Sequence, residues 1–157
     1  MSDKQIPKVE AVATLLVHRG KILSVFNPRW GAFTFPISKR KMFRDTEVSE
    51  AAKPENLHRA AARVAGEVLG RSFATDEFPK PLADIKGFEQ SDVDGVWKLY
   101  EFHIFTLEVS EGVALAQGVV GQWLTAKQFN SHEPVSHTAR YLLSELDERG
   151  LLPKGPG

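Results

Sequence analysis

Cysteine is absent from this chain, which removes disulfides, thiol nucleophiles, zinc fingers and iron–sulfur sites together. Any metal has to be held by carboxylate, imidazole or water oxygen. An excess of charge is absent too: 20 Lys and Arg face 20 Asp and Glu, for a formal net charge of 0. No overall field therefore draws the chain to nucleic acid or to an anionic membrane, and anion binding has to be local. No apolar run approaches the ~18 residues of a membrane span. The opening residues lack the apolar core of a secretory signal. The expectation is a cytoplasmic protein with no membrane attachment and no nucleic-acid partner.

What is present is the composition of a folded domain. The chain has 157 residues, 42% of them hydrophobic and 25% charged, enough to build one core and too little for two. A single domain over 1–157 is expected, with flexible ends at about 1–6 and 153–157. Residues 9–18 are aliphatic and β-branched, Arg19-Gly20 can turn, and 22–26 is apolar again, which predicts a hairpin. Phe33-Thr34-Phe35 predicts a short strand ended by Pro36. Residues 38–54 carry mixed charge without apolar periodicity and predict a long irregular loop.

Helical spacing returns at Leu57, Ala61, Val64 and Val68, with Gly70 placed as the C-terminal cap. Glu55, Arg59, Arg63 and Glu67 follow one another at four-residue steps and form a polar column on its other side. Residues 82–88 and 96–109 predict two further strands, and Gln122-Trp123-Leu124 a last one. Thr125 and Ser136 are positioned as helix caps. The second of these helices, 136–149, places Ala139, Leu142, Leu143 and Leu146 on one stripe. The order of elements is that of an α+β fold in which a mixed β-sheet is covered by helices.

That order, with Trp30-Gly31 before Phe33-Thr34-Phe35-Pro36 and then Ala60-Ala61-Ala62-Arg63 leading to Glu67 and Gly70, resembles the Nudix hydrolase superfamily. The resemblance implies an α/β/α sandwich and hydrolysis of a nucleoside diphosphate linked to another group, with Mg2+ or Mn2+ as cofactor. It spans nearly the whole chain, yet the family's catalytic box is incomplete. Glu55, Arg63, Glu67 and Gly70 fall at the box spacings. Val64 and Val68 stand where two of its glutamates should be, and Arg71 takes its final aliphatic place. Pro36-Ile37-Ser38-Lys39 resembles the family's Pro-Gly-Gly-Lys with both glycines replaced, and the following loop is eleven residues too long.

A hard dication needs several oxygen ligands in near-octahedral array. Here the helix offers Glu67, with Glu55 about 18 Å away at 1.5 Å per residue. Loop acids such as Asp45, Glu47 and Glu50 are the other donors the sequence supplies, along with Glu89, Asp92, Asp94 and Glu101. The resemblance assigns Glu67 as metal ligand and catalytic carboxylate, and Arg63 as the residue that positions Glu67 or a loop carbonyl. A plain i,i+4 ion pair between the two is the structural reading. Lys39, Arg40 and Arg44 are candidate phosphate-binding residues, weighed against a solvated loop.

Trp30, Phe33 and Phe35 can stack on a base, but aromatics at strand ends more often fill a core, and Trp97 and Trp123 share that reading. His132 and His137 lack the register of a zinc pair. The sequence thus predicts a Nudix-like domain with a degraded metal site, catalytically weak or inactive, that binds a nucleotide-like, phosphate-bearing ligand or a protein partner. A divergent metal-dependent pyrophosphatase is the alternative. Oligomeric state is not encoded in any motif.

Overall fold

The computed structural model describes residues 8–39, 42–44, 52–54, 56–90, 95–110 and 114–153, with backbone alone at 42–44, 52–54 and 88–90. The expected flexible ends fall largely outside these residues. The longest apolar run lies in β1 (Lys8–His18), where seven consecutive residues, 11–17, are buried. A strand buried on both faces needs no polar alternation. Its side chains point alternately to two separate layers. Ala11, Ala13, Leu15 and Val17 pack with Leu142, Leu143 and Leu146 of α3 (His137–Glu148). Leu16 packs with Ala65 and Val68, and Val12 with Ala60 and Ala61, all from α1 (Leu57–Leu69). The two helices therefore cover opposite faces of the sheet, as their apolar stripes predicted.

Around β1 the sheet is mixed. β2 (Lys21–Asn27) returns antiparallel through Arg19-Gly20, both at positive φ as a two-residue hairpin turn requires. β8 (Trp97–Glu108) runs parallel to β1 from Lys8↔Leu99 to Val17↔Glu108, and β7 (Lys80–Gln90) pairs antiparallel with β8. β3 (Ala32–Thr34) and β9 (Gly121–Leu124) flank β2, and β4 (Ile37–Lys39) pairs with β1 at Ala11–Ala13. The predicted strands all form, and the chain has the α+β architecture read from the sequence.

The reading of 38–54 as irregular needs correction. β4 extends to Lys39, and β5 (Met42–Arg44) pairs antiparallel with β6 (Ala52–Pro54) in a separate two-stranded ladder. Strands of three residues are too short to show an apolar alternation, so the pattern signal for them is missing. Residues 40–41 and 45–51 lie outside the described residues.

The helix ends follow their cap chemistry. The Asn56 side chain accepts from the Arg59 N–H, and Gly70 adopts φ 66° with its N–H on the Gly66 carbonyl. Thr125 caps α2 (Ala126–Ser131), and Ser136 caps α3 by accepting from the Ala139 N–H at 3.0 Å. α3 ends at Glu148, one residue short of the predicted 149.

Candidate functional site

α1 is anchored through small residues. Ala60, Ala61 and Ala65 are fully buried, so the helix lies close enough for the buried Thr14 hydroxyl of β1 to donate to the Ala61 carbonyl at 2.9 Å. This contact fixes which face of α1 looks outward. Val64 and Val68, at 2% and 9% exposure, lie on the inward side, and Val68 packs with Leu16 and Leu23. The two positions that depart from the box are thus part of the hydrophobic interior.

The outward face carries Arg59, Arg63 and Glu67. Arg63 is the most constrained of them, its side chain only 19% exposed. Its Nη1 donates to Glu67 Oε1 at 3.2 Å and to Ser38 Oγ at 3.3 Å, while Nη2 donates to the Lys39 carbonyl at 3.3 Å. One guanidinium therefore ties the helix to β4, and through β4 to the central strand. Glu67, 60% exposed, is held by that arginine on one side and open to solvent on the other.

Beyond Gly70 the chain folds back along the helix. Gly66 makes this possible: a Cβ there would stand 2.5 Å from the Arg71 carbonyl oxygen. Arg71 Nη2 pairs with Glu77 Oε2 at 3.0 Å, and its guanidinium lies 4.6 Å from the centre of the Phe73 ring. The Ala74 N–H and the Arg71 guanidinium hold the Glu77 carboxyl below its ordinary value of 4.5. An open cleft of about 740 Å³ results, lined by Arg59, Arg63, Glu67, Arg71, Phe73 and Phe78 among others.

Three guanidinium groups and one carboxylate, beside two aromatic rings, make a surface suited to phosphate oxygens and a flat apolar group. Among the described residues they do not make a site for Mg2+ or Mn2+. Among the described lining residues the one carboxylate, Glu67, is already paired with Arg63, and both neighbouring acid positions of the box are buried valines. Asp45, Glu47, Glu50, Glu55, Asp92 and Asp94 lie outside the described residues, as does the side chain of Glu89. Glu101 is on β8, where it pairs with Lys8 at 2.8 Å.

The remaining candidates divide. Lys39 is exposed on β4, and its carbonyl serves Arg63. Arg40 and the side chain of Arg44 lie outside the described residues. Arg71 and Phe73 enter the cleft without having been singled out as binding residues. The arginine in an aliphatic position of the box was the available signal. Phe35 is core, at 0% exposure, whereas Phe33 stands between Phe26 and His132. Trp30 and Trp97, at 44% and 51%, are exposed rather than buried. Trp30 lies in the turn between β2 and β3, and Trp97 is the first residue of β8. His132 Nε2 meets Gln122 Nε2 at 2.8 Å, not His137.

No protein-family model matches the chain, and no curated protein does. Solved structures do match. The MutT protein from Methanosarcina mazei superposes with a TM-score of 0.65 over 94% of this chain and 99% of its own, at 17% identity. The Nudix domain of Shewanella oneidensis NrtR, solved with ADP ribose, gives 0.57 over 94% and 90%, at 16% identity. The Ap4A hydrolase of C. elegans gives 0.56 over 91% and 98%, at 14% identity.

Proposed function

Since the chain has the fold of the Nudix hydrolases, we propose that it is a binding module for a nucleoside diphosphate derivative, gripping the phosphates with arginine instead of metal and turning the ligand over slowly or not at all. The observation that carries this reading is the composition of the α1 cleft: Arg59, Arg63 and Arg71 line it with Glu67 as the one acid among the described lining residues, while Val64 and Val68 are buried.

Guanidinium forks match phosphate oxygens two at a time and need no deprotonation, so they neutralise a diphosphate without a cation. Arg71 is braced by Glu77 and Phe73, and Arg63 by β4, so both are partly ordered before a ligand arrives. That lowers the ordering cost of binding. Phe73 and Phe78 supply an apolar wall beside them. Lys39, at the end of β4, and Arg40 and Arg44 after it in sequence are proposed to extend the basic surface toward the terminal phosphate. Bond cleavage is a different matter. Among the described residues the cleft offers one carboxylate held by an arginine, which has neither the ligand number nor the charge to assemble a metal-activated water. The Mg2+ or Mn2+ requirement implied by the family resemblance is accordingly not proposed for this cleft.

Titration calorimetry with ADP ribose and Ap4A, first in EDTA and then with Mg2+, tests the reading. Binding in EDTA that is little changed by Mg2+ is the expected result. Arg71→Ala should weaken it roughly tenfold or more, as for a lost charge-assisted hydrogen bond worth about 1.5–3 kcal/mol. Metal-dependent release of a nucleoside monophosphate, abolished by Glu67→Gln, would overturn the reading and establish the divergent pyrophosphatase.

A further inference from the structure

The cleft along α1 holds one group that a polyanion site does not need. Arg59, Arg63 and Arg71 attract phosphate, whereas Glu67, the one acid among the described lining residues, repels it. Glu67 is 60% exposed, and its Oε1 accepts from Arg63 Nη1 at 3.2 Å. Its Oε2 has no partner among the described residues. An ionised carboxylate offers only acceptors, so whatever part of a ligand meets Oε2 has to donate. Ionised phosphate oxygens cannot.

Position along the helix says which part that is. Arg59 and Glu67 are eight residues apart on α1, about 12 Å along the axis at the usual helical rise, with Arg63 midway. The aromatic wall stands at the Glu67 end. A Cβ on Gly66, the neighbour of Glu67, would come 3.8 Å from Phe73 Cε2, and Phe73 lines the cleft together with Phe78. Arg71 borders this end as well, paired with Glu77 and laid against the Phe73 ring. From the first turn of α1 onward the cleft thus presents two guanidinium groups, then an acceptor, then rings with a third guanidinium over one of them. A ribonucleoside diphosphate has the same order: phosphates, then a sugar with two hydroxyl donors, then a flat base.

We infer that Glu67 reads the sugar. Its unoccupied carboxylate oxygen accepts from the 2′- and 3′-hydroxyls of a ribose, with the base toward Phe73 and the phosphates toward Arg59. The ligand class is therefore ribonucleoside diphosphate derivatives, and sugars without those hydroxyls are disfavoured. An acid accepting from a ribose hydroxyl is an established means of sugar recognition in dinucleotide sites. The inference rests on the nucleotide-binding reading above, and it gives the acid of this cleft a role that needs no metal.

Calorimetry of the full chain in EDTA with ADP, 2′,3′-dideoxy-ADP, inosine diphosphate and inorganic pyrophosphate tests it. ADP should bind roughly tenfold or more tightly than the dideoxy ligand, the loss expected when a hydrogen bond to a charged group is removed. Glu67→Gln keeps an oxygen for Arg63 and turns an amide donor toward the ligand, so the preference for ribose should vanish. Pyrophosphate, which has no sugar, should bind that variant more tightly, because the repelling charge is gone. If Glu67 served only to brace Arg63, the variant would weaken pyrophosphate and both adenine nucleotides alike, and the inference would fall. Equal binding of ADP and its dideoxy form by the unmutated chain would also overturn it. So would a variant that loses a preference for ADP over inosine diphosphate, which lacks the exocyclic amine, while keeping the preference for ribose. Failure of all four ligands to bind would remove the nucleotide-binding reading itself, and this inference with it.

Discussion

Lys8 and Glu101 show how a single ion pair sets a pH window. The hydrogen bond and charge of Glu101 raise the Lys8 ammonium above its ordinary 10.5, and the hydrogen bond from Lys8 outweighs desolvation to hold the Glu101 carboxyl below 4.5. The lowered carboxyl contributes stability that is complete above about pH 4.5 and is lost as pH falls through its folded value. The raised ammonium contributes stability that is complete below about pH 10.5 and is lost as pH rises through its own. The pair's contribution is therefore a plateau between those limits. Urea denaturation in EDTA should find Lys8→Met less stable than the unmutated chain at pH 7, with the gap closing toward pH 3. A gap independent of pH would show that lost packing, not charge, is responsible.

α1 is the element on which fold and function compete. Its inner face must meet Leu16 and Leu23, and its outer face must hold the cleft, so any box position that turns inward is lost to chemistry. Rebuilding the box is therefore predicted to damage the core before it creates a metal site. Val68→Glu places a charge among Leu16, Leu23 and Leu69, with a cost of about 3–5 kcal/mol if it stays ionised and uncompensated. A melting temperature lowered by several degrees, with no gain in Mg2+ affinity, is the outcome to look for. An unaltered melting temperature with tighter Mg2+ binding would mean that the helix presents this position to the cleft.

Across the whole molecule, β1 couples the two layers because neighbouring residues on it serve opposite faces. Leu15 belongs to the layer under α3 and Leu16 to the layer under α1, and both are fully buried. Leu15→Ala and Leu16→Ala should each cost about 2–5 kcal/mol. Because one central strand connects the layers, fluorescence and far-UV circular dichroism should report a single coincident unfolding transition for each variant. Separate transitions would show that the layers fold independently. No helix among the described residues is long and apolar enough to cross a membrane, in keeping with the absence of long apolar runs in the sequence.

What the sequence determined by itself was everything that depends on period and cap. The aliphatic strand over 9–18, the stripes of α1 and α3, the Arg19-Gly20 turn, and the roles of Thr125, Ser136 and Gly70 are local patterns, and each formed where it was read. The partnership of Arg63 with Glu67 was also legible, since four residues on a helix bring two side chains together. Tertiary structure decided what depends on distance across the chain. β5 and β6 stabilise each other through a ladder that neither announces in its composition. Arg71 and Phe73 join the cleft because Gly66 lets the chain fold back against the helix. Glu10, Asp84, Glu101 and His103 are far apart in sequence, and only the strand register of β1, β8 and β7 brings them to one point. Periodicity is a property of a few neighbouring residues, whereas register is chosen by the packing of the whole sheet.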